Sequence, residues 1–77
     1  MAGPVSDATK LFGERIRTRR HELDLTQEEL AERADLHWTY VGQVERGERN
    51  ISLRNICKLA GALDADPGDL TGKLDAW

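Results

Sequence analysis

Apolar residues along this chain recur at helical spacing, and the recurrence is broken by a small set of repeated signals. No alternating run of β-branched or aromatic residues extends beyond a few positions, so an all-α fold of five helices is expected. Leu11, Phe12, Ile16 and Leu23 form the apolar stripe of a first helix over roughly 9–23, with Arg15, Arg17 and Arg19 on other faces. Asp24 follows it and tolerates the left-handed backbone that ends a helix.

A start signal then occurs three times. Leu25-Thr26 precedes Glu29-Leu30, Leu36-His37 precedes Tyr40-Val41, and Ile51-Ser52 precedes Asn55-Ile56. Each has an apolar residue before the cap and another four places after it, which is a hydrophobic staple. Thr26 with Glu29 also completes a capping box, whereas His37 is the poorest of the three caps. The spacing predicts helices over Gln27–Ala34, Trp38–Arg46 and Leu53–Leu63, with Gly47 closing the third. Asp66-Pro67 starts a short fifth helix to about Leu74, because a proline suits the first turn. Residues 1–8 are read as a flexible arm and 9–77 as the domain.

The segment from Thr26 to Gly47 thus holds two short helices and a tight turn. That is the layout of a helix-turn-helix, which places one helix in a DNA major groove; the competing reading is an ordinary αα-hairpin. Leu30, Ala34, Val41 and Val44 face a shared core, and Ala31 is small where the two helices cross. Asp35 takes the turn position where glycine is usual.

Composition narrows the reading. Seventy-seven residues make one small domain with a thin core. Cys57 is the one cysteine and sits in an apolar helical pattern, so a buried, reduced thiol and a cytoplasmic setting are expected. No apolar run approaches the roughly 18 residues of a membrane span. The net charge of −3 disfavours a nucleic-acid partner at first sight. The acid, however, gathers at the C-terminal end, where Lys73 stands against Asp64, Asp66, Asp69 and Asp75. Screening confines that field to about 10 Å, so a local basic patch elsewhere still attracts phosphate. His21 and His37 lack metal-ligand spacing, and no nucleophile constellation or phosphate-binding glycine loop is present. Neither an enzyme nor a cofactor, metal or small-molecule site is expected.

The chain resembles the Xre-type helix-turn-helix family, which includes the phage lambda and 434 repressors and Cro. The resemblance covers about residues 11–71. It rests on Ile16-Arg17 and Arg20, the run from Leu25 to Ala31, then Val41, Gln43 and the run from Val44 to Gly47, and the run from Arg49 to Leu53. Thr39-Tyr40-Val41 with Glu45-Arg46 and Arg49-Asn50 also resembles the controller proteins of restriction–modification systems, small dimeric regulators of their own operons. The fold implied is a compact, lambda-repressor-like domain. The roles implied are base contacts for Trp38, Thr39, Tyr40 and Gln43, the last able to pair bidentately with adenine. Phosphate contacts fall to Gln27, Arg46, Arg49 and Asn50, with Arg19 and Arg54 as further candidates. Arg20 and Glu45 match a partly buried ion pair between helices 1 and 3. Gly42 departs from the longer polar residue of many relatives; on the reading face it would bring helix 3 nearer the bases or weaken the helix. The function implied is sequence-specific binding of double-stranded DNA as a homodimer on a palindromic operator. Leu63, Leu70, Leu74 and Trp77 are candidates for the dimer interface. The alternative is an antitoxin-like or adaptor module whose helix-turn-helix no longer reads DNA.

Overall fold

The first four helices end in the same way, and these endings set the angles of the fold. A computed structural model describes residues 3–74. Among the described residues it contains α1 (Asp7–Glu22), α2 (Gln27–Ala34), α3 (Trp38–Glu45), α4 (Leu53–Ala62) and α5 (Pro67–Thr71), with no strand. Asp24, Asp35 and Asp64 adopt left-handed backbone, with φ of 55°, 55° and 50°, and Gly47 does so at 75°. At each, two N–H groups reach back to orphan carbonyls: Asp24 to His21 and Leu25 to Arg20, Asp35 to Glu32 and Leu36 to Ala31, Gly47 to Val44 and Glu48 to Gln43, Asp64 to Gly61 and Ala65 to Ala60. This double closure turns the chain sharply without leaving helix-end carbonyls unsatisfied. After α1, α2 and α4 it also delivers Leu25, Leu36 and Ala65 onto the core.

Tertiary approach explains why one closure uses glycine. A Cβ on Gly47 would lie 2.8 Å from the Lys10 Cα, because the start of α1 rests on the end of α3. The Gly47 carbonyl accepts from the Thr9 hydroxyl at 2.8 Å and from the Val5 N–H at 2.7 Å. Farther along α1, a Cβ on Gly13 would strike the backbone carbonyls of Val44 and Glu45. The α1–α3 crossing is therefore backbone on backbone. The sequence pattern had marked only the α2–α3 crossing at Ala31, which is buried as expected.

α1 packs on α3 and α5, α2 on α3 and α4, and α4 on α5. Phe12, Ile16, Leu25, Leu30, Val41, Val44, Leu59, Leu63 and Leu70 form the centre. All three staple pairs lie in or against that core. Ser6 and Thr9 form a capping box, so α1 begins two residues before the expected start. His37 does cap α3: its Nδ1 accepts the Thr39 N–H at 3.2 Å. α5 stops at Thr71 rather than near Leu74.

Two expectations are corrected here. Cys57 is exposed, because the core face of α4 falls on Leu59, Ala60 and Leu63 instead. Leu63 and Leu70, expected at a dimer interface, are 0% and 4% exposed, so their side chains are spent within the protomer. Leu74 is half-buried against the same core, beside Ile51 and Ile56. Trp77 lies outside the described residues.

Gly13→Ala should lower stability by about 1–3 kcal/mol, the usual cost of overpacking. A reduced urea midpoint with an unchanged m-value would register it. The capping box at α2 gives a second expected outcome. The Thr26 N–H donates to Glu29 at 2.9 Å, and the hydrogen bonds from the Thr26 backbone, then its side chain, hold the Glu29 carboxyl below its ordinary value. A lowered value means that the cap is fully present above the usual glutamate range and is lost as pH falls through the folded value. Thr26→Ala removes the hydroxyl but keeps the backbone donor, so it should move the Glu29 titration only part of the way up to its ordinary value in carbon-detected NMR; a parent Glu29 already at that value would mean that the box does not form in solution.

Candidate nucleic-acid interface

The position of α3 is set from behind by a buried ion pair. Arg20 Nε donates to Glu45 Oε2 at 2.7 Å and Nη2 to Oε1 at 3.0 Å, a two-pronged contact between α1 and α3. Arg20 Nη1 also donates to the Leu25 carbonyl at 2.8 Å, in the α1–α2 connection. Gln27 Nε2 donates to Glu45 Oε1 at 3.0 Å and adds the first turn of α2. One carboxylate therefore joins α1, α2 and α3, and the pair expected between Arg20 and Glu45 is present. Only planar guanidinium matches that fork, so lysine would not replace it.

This anchoring holds Gln27 in the first turn of α2, just after the Thr26 cap. One amide hydrogen is committed to Glu45, and the early backbone N–H groups of α2 remain suited to an anion. Gln27 and Arg46 lie over Gly42, where a Cβ would come within 3.4 Å of Gln27 Oε1 and 3.3 Å of Arg46 Nη1. Gly42 is buried beneath them, so it does not belong to the reading face where the sequence had placed it. Its missing side chain makes room for its two polar neighbours.

The outward side of α3 carries the expected strip. Trp38 is 53% exposed and stacks on His37, with ring centroids 6.0 Å apart. Thr39 is exposed, and its hydroxyl meets the His37 ring. Tyr40 and Gln43 are half-buried. The Tyr40 hydroxyl accepts from Asn55 Nδ2 at 3.1 Å, and Arg49 lies over the Tyr40 ring at 4.9 Å from its centroid. Arg49 Nη1 also donates to Gln43 Oε1 at 3.0 Å. Arg46 is exposed and bridges to Glu48 at 3.0 Å, which offsets part of its charge. Asn50 and Arg54 are exposed on the connection after α3 and the first turn of α4.

Arg19 is elsewhere. Its Nε donates to the Leu63 carbonyl at 3.0 Å and its Nη2 to the Asp64 carbonyl at 3.3 Å, capping the end of α4. Arg15 does the same for α5 through the Leu70 and Gly72 carbonyls. A cation at a helix C-terminus satisfies orphan acceptors and the dipole together. The phosphate role expected for Arg19 is corrected accordingly. Asn55 is the residue of this strip that sequence reasoning missed; its sequence context is only that of a polar side chain in a first helical turn.

Comparison with known proteins agrees with this geometry. The helix-turn-helix family model matches residues 16–70. The control protein C.BamHI of Bacillus amyloliquefaciens is 48% identical over 61 residues, covering 78% of this chain and 75% of that protein. The crystal structure of the restriction-modification controller protein C.AhdI from Aeromonas hydrophila superposes with a TM-score of 0.79 at 52% identity, covering 80% of this chain and 94% of that one. The P22 c2 repressor, solved in complex with a synthetic operator, superposes with a TM-score of 0.76 at 34% identity, again over 80% and 94%.

Arg20→Ala should cost about 3–5 kcal/mol, because it leaves the Glu45 carboxylate buried without its cation. In a domain this small that is much of the total stability, so the thermal transition should fall well below that of the parent. Arg20→Met combined with Glu45→Leu should recover a good part of the loss, which tests whether the buried charge is the cause.

Proposed function

The chain belongs to the helix-turn-helix family of DNA-binding transcription regulators, among relatives named as restriction–modification controllers, and we propose that it binds a palindromic operator as a homodimer and regulates its own operon. The observation that carries this reading is the α3 strip of Trp38, Thr39, Tyr40 and Gln43, held outward by the Arg20–Glu45–Gln27 lock and flanked by Arg46, Arg49, Asn50 and Arg54. In this reading the strip faces base edges in the major groove while the flanking groups and the start of α2 hold phosphates. Arg46 is the phosphate clamp, exchanging Glu48 for the DNA backbone on binding.

One α3 spans only a few base pairs. Two copies related by a two-fold axis double the site and place half-sites about 34 Å apart. The pairing surface excludes Leu63 and Leu70, which the protomer's own core has taken. An operator read twice also makes occupancy steep in protein concentration, which suits a regulator of its own operon.

Selection of bound sequences from a random duplex pool should return a two-fold symmetric site, and sedimentation with that duplex should show two protomers per DNA. Gln43→Ala should relax preference at particular base pairs. Arg46→Ala should weaken all duplexes alike and lower the salt slope by about one. A chain that binds duplex DNA with no salt dependence, or only as a monomer, would overturn the reading and favour an interaction module.

A further inference from the structure

Arg49 is engaged with two of the base-facing side chains at once. Its Nη1 donates to Gln43 Oε1 at 3.0 Å while its guanidinium covers the Tyr40 ring at 4.9 Å. Tyr40 in turn is braced by Asn55, whose Nδ2 donates to the tyrosine hydroxyl at 3.1 Å. The chain of contacts runs from the first turn of α4 to the middle of α3, through a residue expected only to hold phosphate.

The chemistry of the Arg49–Gln43 contact decides how Gln43 is presented. Arginine has five donors and no acceptor, so the Gln43 atom facing it must be the carbonyl oxygen. The amide nitrogen is the end turned away from Arg49, and among the described residues it makes no hydrogen bond. A glutamine that reads adenine uses both ends: its NH2 donates to N7 and its carbonyl accepts from the N6 amino group. With the carbonyl held by a cation, the edge that fits best is one of acceptors alone, the N7 and O6 of guanine.

We propose that Arg49 is a positioning residue for base reading: by holding the Gln43 carbonyl, it turns the amide donors outward and sets the base pair under Gln43 to G·C. The inference rests on the reading that α3 enters the major groove, and it replaces the adenine pairing expected of an unrestrained Gln43.

The test uses the full chain and operator duplexes carrying each of the four base pairs at the position where Gln43→Ala loses discrimination. The parent protein should favour G·C over A·T there by about tenfold or more, the scale of a good two-bond base contact. Arg49→Lys keeps the charge but replaces a planar fork by a flexible point charge, so it should lose most of that preference while the salt slope stays unchanged. Gln43→Ala with Arg49→Lys should discriminate no worse than Gln43→Ala alone, as expected when one residue acts through the other. An A·T preference in the parent, or an Arg49→Lys protein with the full G·C preference, overturns the inference and leaves the groove reading standing. A Gln43→Ala protein weakened equally on every duplex overturns the groove reading itself. Arg49 is exposed, so loss of the fold does not cloud the result.

Discussion

The structure depends on the Glu45 carboxylate being satisfied inside the protein. It is 8% exposed and meets Arg20 through two hydrogen bonds and Gln27 through a third. A buried carboxylate without partners would cost several kcal/mol, so the three helices that supply those partners cannot separate independently. Replacing the pair by hydrophobes of similar volume could be neutral or better for stability. What the charged pair adds is geometry, because a guanidinium fork fits a carboxylate in few orientations. A helix that must match base edges to within a hydrogen bond gains from being held that way.

Cations on this small domain have divided duties. Arg15 and Arg19 cap the ends of α5 and α4, Arg20 is buried, and Arg46 is bridged to Glu48. Arg49 and Arg54, in no salt bridge among the described residues, stand exposed beside α3 and at the start of α4, while acidic residues gather toward the chain's end. A net charge of −3 is therefore compatible with phosphate binding, since the relevant field is local. The same economy extends to α3, where the Arg49 guanidinium holds the Gln43 amide.

Much of the fold was legible because local signals agreed with one another. The α2 bounds, Gln27–Ala34, follow from the capping box at one end and the left-handed Asp35 at the other. The staples before α2, α3 and α4 predicted which residues reach the core. The α3 strip and the Arg20–Glu45 pair were legible through family resemblance. Helical spacing alone does not say that side chains 25 residues apart will meet. The misplacements share one cause. Periodicity identifies an apolar face but not the element that covers it, so Leu63 and Leu70 could be assigned to a partner chain when their own protomer buries them. Likewise Arg19 has nothing in its local sequence to distinguish solvent from a carbonyl 44 residues away.

By itself the sequence determined where α2, α3 and α4 start and how the first four helices are closed, since caps, staples and left-handed turn residues act within a few positions of one another. It also determined the order of the two central helices and the short turn between them. Only the tertiary structure decided which polar groups are free to act. Gly13 and Gly47 permit a backbone-to-backbone approach of α1 to α3 that no local pattern encodes. That approach allows Arg20 to reach Glu45, while the packing of α5 on both α1 and α4 brings Arg15 to the end of α5 and Arg19 to the residues that follow α4. The folding of α4 back toward α3 brings Asn55 to Tyr40. The reason is physical: a hydrogen bond needs its partners within about 3 Å, and for residues far apart in the chain only packing supplies that distance.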